Sequence, residues 1–541
     1  MKIFFFLKTY FKKYINLLII YVFLCILTNV SSVLLPHVVG NFLDCLILSS
    51  NKAFIVYNCF IYLSVNVLII VTGYLSTIIY TKVQSNIAFE INRDVLLHIK
   101  DLSLLFFENT SSVYLNQRVN QDSNIISVFC IHITKNVIVN ILMFIVPFYL
   151  MTMYNKGITI ILLIIVIIYI IIYSLCKKPL YNRNLIFKET QNLFFTKLNE
   201  QISQIRFIKI NAVDSVFIKR LDDSFKKYFN VNLSYQKIFC LLSSLEKMIV
   251  ILSQIALFIL GGMEVVNNNL SVGQLTAVSS YFNIIVGSIG YFFNLGKSYQ
   301  DAYVSYNRIE ELMTMKQENN GVKEINEIIE ISAINLNFQY NNKKVIDNQT
   351  FTIRKNEITC ISGSNGSGKT TLLKLLLGIY VDNYKGNIFY NRTNLQEINM
   401  KNVRRNLIGV AEQDPIMIAD TLMYNITLGE QIINIDNRME KIINILGLNE
   451  FLNSLPNGFD TLISENSTNL SGGERQKLSI LRVLLKNPDV IVLDEPSNAL
   501  DNISRQKLID YLNNIKLNKI IIIVTHDIDL IKIANKNIIL E

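Results

Sequence analysis

The chain has 541 residues, of which 51% are hydrophobic and only 17% charged, with a net charge of +9. Average soluble proteins are about 25% charged, so a soluble globule of this length would lack the charge to cover its surface. With 21 glycines and 7 prolines, collagen-like and disordered architectures are excluded too, which leaves a membrane protein with a soluble part.

The opening residues, MKIFFFLKTYFKKY, set Lys2, Lys8, Lys12 and Lys13 among aromatics. That pattern predicts an amphipathic helix on an anionic inner leaflet. No small-residue cleavage site follows, so the segment reads as retained. Six apolar stretches come next, at 16–35, 54–80, 131–153, 157–176, 241–262 and 274–295, and each is read as a membrane span. The purest is 157–176, without one charged side chain, over about 30 Å of helix, one hydrocarbon thickness. His132, Lys135, Glu246 and Lys247 lie at or inside two of these stretches. Ionisable groups there are costly and often functional; the alternative is that long helices hold them in water.

Charge in the connections sets the orientation. The connection 177–238 carries twelve Lys and Arg, whereas 264–274 carries none. Both termini are therefore expected in the cytoplasm and the protein in the cytoplasmic membrane. The positive excess is accounted for by these loops, and no nucleic-acid partner is expected. The inner connections 81–130 and 177–238 are long, as helices running past the bilayer would make them, although ordinary cytoplasmic loops would also serve. Seven cysteines (Cys25, Cys45, Cys59, Cys130, Cys176, Cys240, Cys360) show no regular spacing, so free thiols are expected.

After residue 315 the composition changes. A transmembrane domain, 1–315, gives way to a polar linker, 316–328, and to a soluble domain, 329–541. Ile334, Leu336, Phe338 and Tyr340 alternate with polar residues, the period of a half-buried strand. Short apolar runs at 358–361, 408–411, 490–493 and 520–524 are separated by helical patterns, which predicts a parallel α/β sheet.

Between one such run and a helical pattern lies Gly363-Ser364-Asn365-Gly366-Ser367-Gly368-Lys369-Thr370, followed by Thr371. Glycines in that spacing let backbone N–H groups turn around phosphate oxygens at a helix start. Lys369 can reach the outer phosphates, and the Thr370 hydroxyl can serve magnesium. The run 490–493 ends in Asp494 and Glu495: the first can hold a magnesium shell, and the second can polarise a water as general base. His526 follows the run 520–524 and is read as a γ-phosphate contact. Ser471-Gly472-Gly473-Glu474 opens an apolar-periodic helix and is a second candidate anion-binding end.

These motifs, in this order, resemble the ATP-binding cassette (ABC) transporter family, in its exporter-type half-transporters, over nearly the whole chain. The resemblance implies a six-span helical domain fused ahead of an α/β P-loop NTPase cassette with a helical subdomain, using ATP and Mg2+. LSGGE at 470–474 is similar to the family signature, with Glu474 in place of Gln. By motif, Tyr340 resembles the aromatic that stacks on adenine. Gln413 resembles the loop glutamine that contacts magnesium and senses the membrane domain. SNALD at 497–501 resembles the dimer-facing loop, and Glu465 the element touching the coupling helices. In the membrane half, VLLPHVVGNFLD, GGMEVVNNNLSVGQLTAVSSYF, SYQDAYVSYNRIEELM and the Arg118/Asp122 pair resemble the family more loosely.

The resemblance implies that ATP is sandwiched between the P-loop of one cassette and the signature of another, so the partner is a second copy or a related half-transporter. An ATP-driven exporter of a peptide, lipid or amphipathic compound is the leading expectation. An importer on the same fold, the active half of a heterodimer, and a cassette that gates a channel or sensor are the others. The first span begins near residue 16, so no fused protease, and hence no leader cleavage, is expected. Relatives usually continue past the point where this sequence stops, at Glu541 immediately after NIIL, which leaves the cassette edge less supported.

Overall fold

A computed structural model describes residues 2–48, 52–108, 110, 112–340, 343–381, 383–430, 435–464 and 469–540. The chain divides into two compact units, Met1–Leu96 with Leu115–Met313, and Leu97–Tyr114 with Thr314–Glu541. The major break falls where the composition changes, but one short segment between two apolar helices belongs to the second unit.

The first unit is helical. Five helices among the described residues are long and apolar enough to cross a membrane: Ile15–Ile47, Ala53–Lys100, Tyr114–Tyr154, Asp214–Val266 and Val272–Phe292. The stretch expected to be purest lies in helix Lys156–Ser203, where Lys156–Ile172 counts as a shorter apolar helix. Several helices far exceed a bilayer. Helix Lys52–Lys100 has 49 residues and helix Asp214–Val266 has 53, or about 75–80 Å at 1.5 Å per residue against about 30 Å of hydrocarbon. Extended helices, not loops, therefore account for most of 81–130 and 177–238.

Two of the loosely matching stretches meet. Asp44, in helix Ile15–Leu48, accepts from the Ser271 hydroxyl (2.5 Å) and the Gly273 N–H (2.7 Å), fixing the start of helix Val272–Thr314. A Cβ on Gly273 would sit 1.9 Å from the Gly40 carbonyl oxygen, so only glycine permits this approach. Around it, Leu257, Tyr281 and Phe282 are buried in one apolar cluster. Asp122 is also buried: it ends a π-helical turn, Gln117–Asp122, and takes Arg118 (3.2 Å) and the Ser305 hydroxyl (2.8 Å). The opening helix, Lys2–Lys13, buries Ile3 and Leu7 and bonds Glu90 and Asp94 through Lys13 and Tyr10, leaving Phe5 exposed. Ile3 and Leu7 of its apolar face thus pack against protein. The six described cysteines are free, as expected.

The second unit holds two sheets. Strands β1 (Glu330–Tyr340), β2 (Lys343–Arg354), β4 (Tyr384–Tyr390) and β5 (Thr393–Asn394) form an antiparallel sheet in the order β2-β1-β4-β5. Strands β3 (Glu357–Gly363), β6 (Ile408–Ala411), β7 (Val490–Asp494), β8 (Ile520–Val524) and β9 (Lys536–Leu540) form a parallel sheet in the order β6-β7-β8-β3-β9. The inner parallel strands read as unbroken apolar runs because they are covered on both faces; every residue of β8 is buried, whereas the edge strand β9 alternates. The final strand, β9, pairs with β3 and forms one edge of that sheet.

Candidate nucleotide site

The parallel strands end at one side, and the chain leaves β3 through the glycine-rich loop into helix Lys369–Leu376. Gly368 takes φ +95, and a Cβ there would press to 2.8 Å from Val345 Cγ1. No side chain caps this helix, so its first N–H groups stay directed at the loop. The Lys369 ammonium donates to the carbonyls of Gly363 (2.8 Å) and Ser364 (2.9 Å).

A cleft of about 1430 Å³ opens over this loop. Tyr340, Asn365, Gly366, Ser367, Gly368, Lys369, Thr370, Thr371, Gln413, Asp494, Glu495 and His526 all line it, so most of the expected residues come together from five separate stretches of chain. Gly363 and Ser364 lie beneath the Lys369 ammonium. Ser497 and Asn498 of the SNALD loop also reach the cleft, while Asp501 caps the next helix, accepting from the Ser504 N–H. Glu465 lies outside the described residues.

The two acids differ. Burial pushes the Asp494 carboxyl up to about 6, with Glu495 and Glu412 adding repulsion and Lys369 opposing it. Glu495 follows the last residue of β7 and adopts φ +49, a left-handed conformation strained for a glutamate. Two bonds hold it there. Its N–H donates to Val524 O (2.8 Å), and its carbonyl accepts from Gln476 Nε2 (2.7 Å). His526 Nε2 lies 3.4 Å from Glu495 Oε1, so the histidine sits beside the acid at the cleft.

The candidate metal set is Thr370, Gln413 and Asp494, all of which line the cleft. Among the described residues no cluster of three His, Cys, Asp or Glu forms a closed cage. One carboxylate and a hydroxyl suit magnesium, which keeps waters and completes its shell with phosphate oxygens.

The second anion-binding end stands apart. Ser471, Gly472, Gly473 and Glu474 do not line the cleft. Ser471 caps helix Gly472–Lys486 in a reciprocal box: its Oγ accepts from the Glu474 N–H (3.2 Å), and Glu474 Oε2 accepts from the Ser471 N–H (2.7 Å). Within one chain, the two glycine-rich starts do not share a site.

Sequence reasoning missed three features. Gln476, two residues past the LSGGE stretch, clamps the Glu495 backbone. Lys343, Lys344, Arg505 and Lys532 add positive charge around the cleft; the lysines at 343–344 were readable as a basic pair, but nothing pointed them at the loop. Finally, the Tyr340 hydroxyl donates to Tyr380 (3.2 Å), Tyr380 donates to Glu108 Oε1 (2.8 Å), and Lys374 reaches the same oxygen (2.7 Å). Glu108 belongs to the 97–114 segment of this unit.

Comparison with known proteins agrees with this arrangement. Residues 18–289 match the ABC transporter transmembrane region, and residues 346–498 match the ABC transporter cassette. A putative export ATP-binding/permease protein of Rickettsia bellii is 26% identical over 88% of this chain and 83% of its own length. An alpha-hemolysin translocation ATP-binding protein of Escherichia coli O157:H7 is 26% identical over 87% of this chain and 67% of its own. A bacterial Atm1-family ABC exporter solved with ATP bound shares the fold, with a TM-score of 0.84, 17% identity, and coverage of 97% of this chain and 94% of that one. A multi-pass helical region followed by an ATP-binding cassette, matched along both parts, places the chain in the ABC transporter family.

Proposed function

We propose that the chain is an ATP-driven exporter of the cytoplasmic membrane that works as a dimer. The division 1–315, 316–328 and 329–541 then corresponds to membrane domain, linker and cassette, with both termini and the cassette in the cytoplasm. One observation carries the reading: the phosphate loop, Asp494, Glu495, Gln413 and His526 share a cleft that the signature start at Ser471 does not enter. A cassette built this way needs the signature of a partner, a second copy or a related half-transporter, to enclose ATP.

Within the cleft, Tyr340 stacks on the base, the loop amides from Gly363 to Thr371 and Lys369 hold the phosphates, and Ser471 to Glu474 of the partner cover them. Thr370, Gln413 and Asp494 hold Mg2+, which neutralises phosphate charge when bound. Glu495 orients and deprotonates the attacking water, and His526 contacts the γ-phosphate. The strained backbone of Glu495, fixed at both its N–H and its carbonyl, sets that carboxylate before nucleotide arrives. Export direction is supported by relatives named for export and translocation.

The test uses purified full-length chain in lipid nanodiscs and in inside-out vesicles. ATPase activity from the chain alone, with ATP-dependent uptake into inside-out vesicles, is the expected result. Activity only with a second polypeptide would replace the homodimer by a heterodimer, and uptake only into right-side-out vesicles would reverse the direction.

A further inference from the structure

The helical unit contains an open cavity with a half-polar lining. It measures about 350 Å³ and is lined by Asn29 from helix Ile15–Leu48, Lys135, Asn136 and Asn140 from helix Ser123–Tyr154, and Ser288 and Tyr291 from helix Val272–Thr314. Each of these helices contains an apolar 18-residue window, with mean hydropathies of 2.4, 2.0 and, in the third, 1.3. Three amides, a hydroxyl, a phenol and an ammonium converging from three such helices are exceptional in that setting, because each is costly to place in hydrocarbon.

The hydrogen bonds leave donors over. Asn29 spends one amide proton on the Cys25 carbonyl (2.6 Å), and Asn140 spends one on the Asn136 carbonyl (2.7 Å). Asn136 has its amide nitrogen 3.4 Å from His132 Nδ1. Each amide carries a second proton. Ser288 donates to the Ile284 carbonyl of its own turn (3.0 Å). Lys135 has no carboxylate within 4.0 Å among the described residues; its ammonium lies over the Tyr21 ring, 5.6 Å from the centroid. A ring face stabilises a cation but does not neutralise it. The cavity is therefore rich in N–H donors and carries one uncompensated positive charge.

We propose that this cavity is an anion subsite for cargo: it receives the carboxylate of an amphipathic substrate, with Lys135 as counter-ion, the asparagines as hydrogen-bond donors and the apolar helices around it taking the hydrophobic part. The shared chemistry has two sources, the carboxylate of a fatty acid and the free carboxyl terminus of an apolar peptide. The inference deepens the export reading and rests on it for the statement that the occupant is cargo; occupancy itself is an equilibrium property that requires no turnover.

The chain has no tryptophan, so a tryptophan in a probe peptide reports binding without background from the chain itself. An apolar ten-residue peptide with one tryptophan is titrated into the full chain in nanodiscs, once with a free carboxyl terminus and once amidated; oleate and methyl oleate are compared as competitors of a fluorescent fatty acid. The expected result is about tenfold or tighter binding of the acid over its neutral twin in at least one pair, the size of a charge-assisted hydrogen bond. The pair that shows it assigns the source. Lys135→Gln should erase the acid preference and Lys135→Arg should keep it, with ATP binding unchanged in both. Equal binding of acid and neutral forms in both pairs, or a preference that survives Lys135→Gln in protein that still binds ATP, overturns the subsite. The wild-type comparison decides even if a variant fails to fold. Acid preference without ATP-dependent movement in vesicles would leave the subsite standing and remove the export reading.

Discussion

Two helices of the cassette begin in glycine-rich sequence, and they begin in opposite ways. Helix Lys369–Leu376 has no side-chain cap, so its N–H groups face the cleft unsatisfied by its own residues. Helix Gly472–Lys486 closes its own start with the reciprocal pair Ser471 and Glu474. The first start is an anion site available within one chain. The second is stable by itself and places a carboxylate where a phosphate would approach. The difference teaches that glycine spacing marks a helix start open to ligands, while the residue three positions on decides whether that start is already satisfied. The two helices meet at the chemistry, because Gln476 of the capped helix holds the carbonyl of Glu495 beside the uncapped one.

The comparison breaks first at Glu495. Replacing it by glutamine removes the base but keeps the backbone clamp, so ATPase activity should fall by about a hundredfold or more while a fluorescent ATP analogue still binds. Near-normal turnover in Glu495→Gln would remove the acid from the reaction. Lys369→Ala attacks the open start itself. Its charge-assisted contacts to phosphate are worth about 1.5–3 kcal/mol, so nucleotide affinity should drop roughly ten- to hundredfold, measured by equilibrium binding with the fold checked by thermal melting.

The closed start should respond in the other direction. Glu474→Gln keeps the capping geometry, since glutamine also reaches the cap N–H, but removes a negative charge from the approach. ATP-dependent association of cassettes should tighten several-fold, on the order of 0.3–1 kcal/mol, as read by crosslinking or light scattering at varied ATP. Weaker association would mean that the carboxylate assists the partner's nucleotide and is not an obstacle to it.

How much of this was legible depends on the range of each signal. The five parallel-sheet strands include four that stand out as apolar runs, since burial on both faces removes any alternation to misread. Strand β2 was missed because its pairing with β1 shifts register opposite Leu336–Phe338 and again opposite Phe338–Gln339, each time with an extra residue on β2, which scrambles the period in KKVIDNQTFTIR. Strand β9 was seen only as a chain end. In the site, the glycine-rich loop, the acids that end β7 and the Ser471 helix start are local motifs, and local spacing makes them visible. The Gln476 clamp and the Tyr340–Tyr380–Glu108 chain were not, because they join residues 19, 40 and 272 positions apart. The family resemblance implies a coupling helix within 81–130, but nothing in the sequence singles out 97–114 as the part that folds with the cassette.

That last contact sharpens the comparison at its weakest point. Lys374 sits in the last turn of the helix whose start is open, and it donates to Glu108, as does Tyr380. A helix left uncapped at one end is thus anchored near the other. Burial pushes the Glu108 carboxyl up, but the hydrogen bonds from Lys374 and Tyr380 and the lysine charge outweigh it, and the net shift is downward. A carboxyl lowered in the folded state stabilises that state fully above the ordinary glutamate pKa, and the contribution is lost as pH falls through the lowered value. The pair is partly exposed, so the effect should be below about 1 kcal/mol. Glu108→Gln should raise hydrogen exchange across 97–114 slightly at pH 7, and wild type should converge on the variant in acid. A difference that persists below the glutamate range would mean that packing of this segment, not the ionised carboxylate, holds it to the cassette.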